Sequence, residues 1–136
     1  MPTLTGHTWA GAEVSTASTR GRVLVLNVWA SWCEPCQAES PALARVAGQQ
    51  DPLAVRFIGL DEHDTEAAAT AFVRSVGSTY PHLVDDGGLL GRLSPWLPDA
   101  VPDSLVVDGQ GLVAARVVGA VTEEQLRTVL NQVRTP

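Results

Sequence analysis

Lysine is absent: all nine basic residues of the 136-residue chain are arginine, which excludes a Schiff-base lysine, a P-loop lysine and an amine nucleophile. Cysteine is nearly absent too, with only Cys33 and Cys36, too few to staple a small disulfide scaffold. Long apolar runs are missing: the longest, Val23 to Ala30, is broken by Asn27 and falls far short of the roughly 20 residues that cross a bilayer, so nothing is expected to span a membrane. Positive charge is in the minority, nine basic residues against fifteen acidic for a net charge of −6, and the arginines form no run. Nucleic acid is therefore not an expected partner. The N-terminus, Met1-Pro2-Thr3-Leu4-Thr5-Gly6, lacks the basic region and apolar core of a secretory signal, which leaves either a cytoplasmic protein or one whose signal or anchor is absent from this chain. No repeat, low-complexity tract or linker interrupts residues 1–136. With 45% hydrophobic residues they are expected to form one domain that buries roughly two thirds of its unfolded surface.

Residues 1–22 are polar, with Gly6, Gly11 and Gly21 as punctuation and Leu4, Trp9 and Val14 as isolated apolar anchors, the pattern of a hairpin extension at a sheet edge. Val23 to Trp29 runs apolar without alternation, as a parallel strand covered on both faces does. A helix is expected from Glu34 or Pro35 to Ala47, kinked at Pro41 and stopped by Gly48. Val55 to Leu60 reads as a second buried strand, and Asp64 or Thr65 caps a helix that ends at Gly77. A short strand at His82 to Val84 and a small helix near Gly88 to Leu93 follow. Ser104 to Asp108 and Leu112 to Gly119 flank a Gly-rich turn as a hairpin, and a capping box at Thr122 to Gln125 opens the last helix. The fold class is α/β: a central mixed sheet flanked by helices, βαβα and then a hairpin and a C-terminal helix.

Cys33-Glu34-Pro35-Cys36 falls where a buried strand gives way to a helix. At the helix N-terminus the unpaired amides and the positive end of the dipole favour a thiolate, which marks Cys33 as nucleophile. Cys36, one turn deeper on the same face, can close a disulfide and serve as the resolving thiol. Pro35 in the first turn sacrifices no hydrogen bond and stiffens the loop. A structural zinc needs four ligands, and His7, His63 and His82 show no H-x₃₋₅-H spacing; Cu(I), which needs two or three soft ligands, stays open.

Trp29-Ala30-Ser31-Trp32-Cys33-Glu34-Pro35-Cys36, preceded by the strand and followed five residues later by Pro41, resembles the active site of the thioredoxin superfamily. Ala100 to Asp108 is similar to the segment that carries that family's cis-proline, which implies a cis Val101–Pro102 bond opposite the cysteines, with the Val101 backbone offered to a substrate strand. Asn27 in place of a buried aspartate, the Glu-Pro dipeptide between the cysteines and the inserted stretch from Val55 to Val84 resemble the extracytoplasmic TlpA, ResA and CcmG type. The likeness spans about residues 11 to 133. It implies a thioredoxin-like fold and dithiol–disulfide exchange with protein thiols, through a mixed disulfide on Cys33 that Cys36 resolves. It implies no metal and no cofactor beyond the redox-active disulfide, an extracytoplasmic monomer, and a membrane thiol carrier as electron donor. Substrates would be apocytochrome c haem-site cysteines, copper-site cysteines or misfolded secreted proteins. A disulfide oxidase for secreted folding and a Cu(I) chaperone are the alternatives.

The resemblance also implies a carboxylate at the end of the second strand, next to Cys36, where Glu62 aligns; the same residues, Asp61 to Asp64, read equally as a solvated loop ahead of a helix cap. Trp32 would flank Cys33 on a docking face, whereas Trp29 and Trp96 read as packing and His63 and His82 as ordinary polar residues. Relatives usually carry threonine after the cis-proline, where this chain has Asp103. If that acid faces the cysteines it raises the Cys33 pKa; otherwise it points to solvent or caps a neighbouring amide. With Glu34 and Glu62 also nearby and no lysine, only a moderate depression of the Cys33 pKa is expected, which suits a reductant better than a strong oxidant.

Overall fold

The computed structural model describes residues 1–134; the last two residues of the 1–136 span read from the sequence lie outside the described residues. The chain opens with β1 (Thr5–His7) and β2 (Glu13–Ser15), an antiparallel pair that forms a two-stranded sheet of its own. Leu4 and Val14 plug this hairpin into the main core. Gly6 lets it lie close, because a Cβ there would stand 3.3 Å from the Leu83 side chain.

The main sheet contains five strands in the order β5-β4-β3-β6-β7. Its centre is β3 (Val23–Trp29), buried at every position, which explains the absence of alternation. The helix α1 (Glu34–Gly48) returns the chain to β4 (Val55–Glu62), parallel to β3. In turn α2 (Glu66–Val76) leads to β5 (His82–Asp85), parallel to β4. After a 3-10 turn at Leu90–Leu93, β6 (Asp103–Val107) pairs antiparallel with both β3 and β7 (Val113–Val118), and α3 (Glu123–Arg134) closes the chain.

Two right-handed crossovers stepping in the same direction put α1 and α2 on one face of the sheet. There Leu43 and Val46 of α1 and Leu126 and Leu130 of α3 pack on Val23, Val25, Phe57 and Val106. On the opposite face Leu24, Leu26, Ile58, Leu60 and Leu105 are covered by Leu4, Leu90, Leu93 and Leu97. Each such leucine, taken from water to full burial, contributes about 2 kcal/mol before chain entropy is counted.

Several boundaries differ from the sequence reading. Gly48 is the last residue of α1 and not its stop; the cap is Gln49 in a right-handed conformation. The helix runs unbroken through Pro41. By contrast, Thr65 caps α2 through its side chain, and Gly77 ends that helix at φ 69°. The second buried strand continues two residues past Leu60, because Asp61 and Glu62 pair in register with Val84 and Asp85. The small helix is confined to Leu90–Leu93, and β6 begins one residue early, at Asp103.

Candidate active site

Cys33 is the N-cap of α1, and its Sγ accepts the Cys36 amide at 3.3 Å. This is the donor geometry that favours sulfur as thiolate. The two cysteines form a disulfide with their Cα atoms 5.2 Å apart. Cys33 keeps 5% of its surface and Cys36 none, so an incoming sulfur can reach only the first. Glu34 and Pro35 fill the exposed first turn.

The peptide between Val101 and Pro102 is cis, and Val101 packs against the cluster of Trp29, Ala30, Cys33, Cys36 and Ala69. Trp32 stands beside the nucleophile 60% exposed, its indole N–H donating to the His63 carbonyl at 3.0 Å. Trp29 is core, stacked on Phe72 with centroids 5.1 Å apart. Trp96 packs against the opposite core as a half-buried residue. His82 is largely buried, edge-on to Trp29 and bonded to the Ser78 hydroxyl at 2.8 Å, and burial pushes it down to about 4.

The buried acids fall into four groups, one of them Asp61 with its half-buried partner Asp64. Glu62 is buried at the end of β4, and its hydrogen-bond partner is Asp85. Burial, then the bond and charge of Asp85, push Glu62 up to about 9, so it holds a proton at neutral pH. Asp103 is buried with Oδ1 accepting the Gly119 amide at 3.2 Å. In the strand pleat it shares its face with Val28 and Leu105, and burial raises its pKa. Burial thus weakens the anionic field that the sequence suggests around Cys33.

The third group, Glu39, is absent from the sequence reading. It projects from α1 three residues after Cys36, on the buried face that continues through Leu43 and Val46. Its Oε2 accepts Asn27 Nδ2 at 2.8 Å, and its Oε1 accepts the Val121 amide at 3.0 Å. Burial pushes the carboxyl up to about 7, against both hydrogen bonds and with the help of Asp103. An acid at a helical core position one turn past a cysteine is the signal that could have found it.

A cysteine pair closed as a disulfide at a helix tip, with a cis-proline loop packed against it on a mixed sheet, defines a thioredoxin-like thiol–disulfide oxidoreductase. The chain belongs to the AhpC/TSA family, whose profile its residues 1–116 match. It is 28% identical over 123 residues to the thiol-disulfide oxidoreductase ResA of Bacillus cereus, covering 90% of this chain and 70% of ResA. To the thiol:disulfide interchange protein HelX of Rhodobacter capsulatus it is 36% identical over 117 residues, 85% of this chain and 63% of HelX. A secreted disulfide oxidoreductase of Mycobacterium tuberculosis, described as homologous to E. coli DsbE, superposes with a TM-score of 0.81 at 26% identity, over 95% of each chain. Among the described residues no helix is long and apolar enough to cross a membrane.

Proposed function

We propose that this protein is a monomeric extracytoplasmic reductant of protein disulfides, acting as a single domain. Cys33 attacks the substrate disulfide and Cys36 resolves the mixed disulfide. Electrons return to the Cys33–Cys36 pair from a membrane thiol carrier. In the terms of its resemblance to the extracytoplasmic TlpA, ResA and CcmG type, its targets are cysteines that must be reduced outside the cytoplasm, such as apocytochrome c haem-site cysteines or copper-site cysteines.

The observation that carries the direction of transfer is Glu39. A buried carboxyl with its pKa raised to about 7, one turn past Cys36 on the same helix, exchanges its proton in the neutral range. When ionised it can accept a proton, and its charge disfavours a thiolate, which leaves little drive toward the stabilised dithiol that makes an oxidant. Cys33 receives the helix-tip amide but no lysine. Trp32 and the Val101 backbone supply the surface on which a substrate chain would lie, with Pro102 setting the position of the loop.

Equilibration of the Cys33–Cys36 couple with glutathione tests this reading. The potential should fall nearer that of thioredoxin, about −270 mV, than that of the strong oxidant DsbA at about −120 mV. A value at the oxidising end would assign the protein to disulfide formation instead.

A further inference from the structure

Behind the segment that delivers Cys33, two acids meet that take no part in the exchange steps described above. Asp64 accepts both donors of Ser31, the backbone N–H at 2.8 Å and the hydroxyl at 2.6 Å. The carbonyl of Ser31 accepts Gln37 Nε2 at 2.9 Å, so the residue is held from α1 as well as from the loop after β4. Trp32, next in the chain, is tied to the same loop through His63. Asp61, in register with Trp29, is hydrogen-bonded to Asp64 and accepts the indole N–H of Trp9 at 3.0 Å. Trp9 lies in the turn between β1 and β2. A continuous set of bonds therefore joins the N-terminal hairpin to the residue two places before the nucleophile.

We propose that Asp64, backed by Asp61 and Trp9, is a positioning residue for exchange with protein substrates, fixing Ser31 so that Trp32 and Cys33 are presented together to a docked chain. This rests on the exchange activity argued above. A small disulfide needs only to reach Sγ of Cys33, which α1 holds in any case. A protein disulfide must align with Cys33 while its flanking chain meets Trp32 and Val101, and rate is lost when those surfaces move independently.

The two acids share one proton. Burial, then Asp64, pushes Asp61 up to about 8, opposed by the Trp9 bond. Asp64 is held low by the bonds from Asp61, Ser31 and Thr65, against its own burial. Among the described residues Asp61 Oδ1 accepts no hydrogen bond. Loss of that proton sets two carboxylates against each other and loosens the hold on Ser31. Other titratable or charged groups on the surrounding elements include Glu62 at the end of β4, His63 in the loop, Glu66 in the first turn of α2, Asp85 at the end of β5, Glu34, Glu39 and the dithiol of α1, and His82 of β5 and Arg74 of α2 in the pocket that Trp9 and Trp29 line.

The test is the ratio of the rate constants of the reduced protein toward insulin and toward hydroxyethyl disulfide, followed from about pH 6 to about pH 9.5, which cancels the thiolate fraction of Cys33. In the wild type the ratio should be level to about pH 7 and fall roughly fivefold by about pH 9.5. Asp61→Asn keeps a donor to Asp64 and an acceptor for Trp9 at every pH, so its ratio should stay level. Trp9→Phe removes the bond that lowers Asp61 and should move the fall to higher pH. At neutral pH Asp64→Ala should lower the ratio about tenfold and the milder Ser31→Ala about threefold, through KM for insulin. Coincident pH profiles for the wild type and Asp61→Asn, or equal slowing toward both disulfides in Ser31→Ala and Asp64→Ala, would overturn the positioning role while exchange itself stands. A wild-type protein that reduces neither disulfide would overturn the underlying reading instead.

Discussion

Replacement of Glu39 by Gln removes a buried acid at almost constant volume. The folded protein holds this proton with a pKa of about 7 against the ordinary 4.5, so it binds the proton more tightly than the unfolded chain. The stability linked to this group is fully present below about pH 4.5 and is lost as pH rises through about 7. At about 1.4 kcal/mol per pH unit across that window, the wild type loses about 3 kcal/mol. Gln escapes that loss, but its amide nitrogen must oppose either Asn27 Nδ2 or the Val121 amide, at a cost of about 1 kcal/mol at any pH. Glu39→Gln should therefore be less stable than the wild type by about 1 kcal/mol near pH 4 and more stable by about 2 kcal/mol near pH 8, the curves crossing between about pH 5 and about pH 6. Urea unfolding of the oxidised proteins, followed by tryptophan fluorescence at each pH, measures the difference, and acids common to both largely cancel. A stability difference that stays constant from about pH 4 to about pH 8 would refute the assignment of a buried, neutral-range acid to Glu39.

Cys36→Ser should attack a substrate and stall as a mixed disulfide on Cys33, whereas Cys33→Ser should not exchange; mass spectrometry that finds an adduct on Cys36 in the reciprocal variant would reverse the roles. Asp103→Asn can keep an acceptor for Gly119, and because burial already favours the neutral acid, the potential of the couple should move by less than about 30 mV, the equivalent of one pKa unit. A larger displacement in a glutathione titration would show that Asp103 stands charged beside Cys33. Gly59→Ala sets a Cβ against the ring of His82 and 2.8 Å from Trp29 Nε1, where both rings are packed, and should cost about 2 to 4 kcal/mol in thermal or urea unfolding. An unchanged melting temperature would contradict that packing.

The order of elements was legible because its signals are local. Val23–Trp29 runs apolar because both its faces are covered, and Thr65 and Gly77 bracket α2 with a side-chain cap and a left-handed stop. Thr122 and Gln125 form the reciprocal bonds of a capping box at 2.9 and 3.1 Å. The cysteine pair was legible for the same reason, since a strand-to-helix junction and a three-residue spacing are contained in a few consecutive residues.

Only the tertiary structure decided the state of the acids. Asp61 and Glu62 read in sequence equally as a solvated loop or, for Glu62, as the end of the second strand, and they are buried strand because β3 and β5 flank β4. Asp103 follows the cis-proline in sequence, but its bond goes to the amide of Gly119 beyond the far end of β7. Glu39 looks like one more surface glutamate until α1 settles on the sheet, where Asn27 lies 12 residues before it and Val121 lies 82 residues after it. Caps and periodicity involve atoms within about one turn of the chain, whereas the protonation of a carboxyl depends on how much water the whole fold removes and which distant donors replace it. The cysteine spacing therefore named the nucleophile, while the field that the nucleophile works in arose from packing among segments that are remote in sequence.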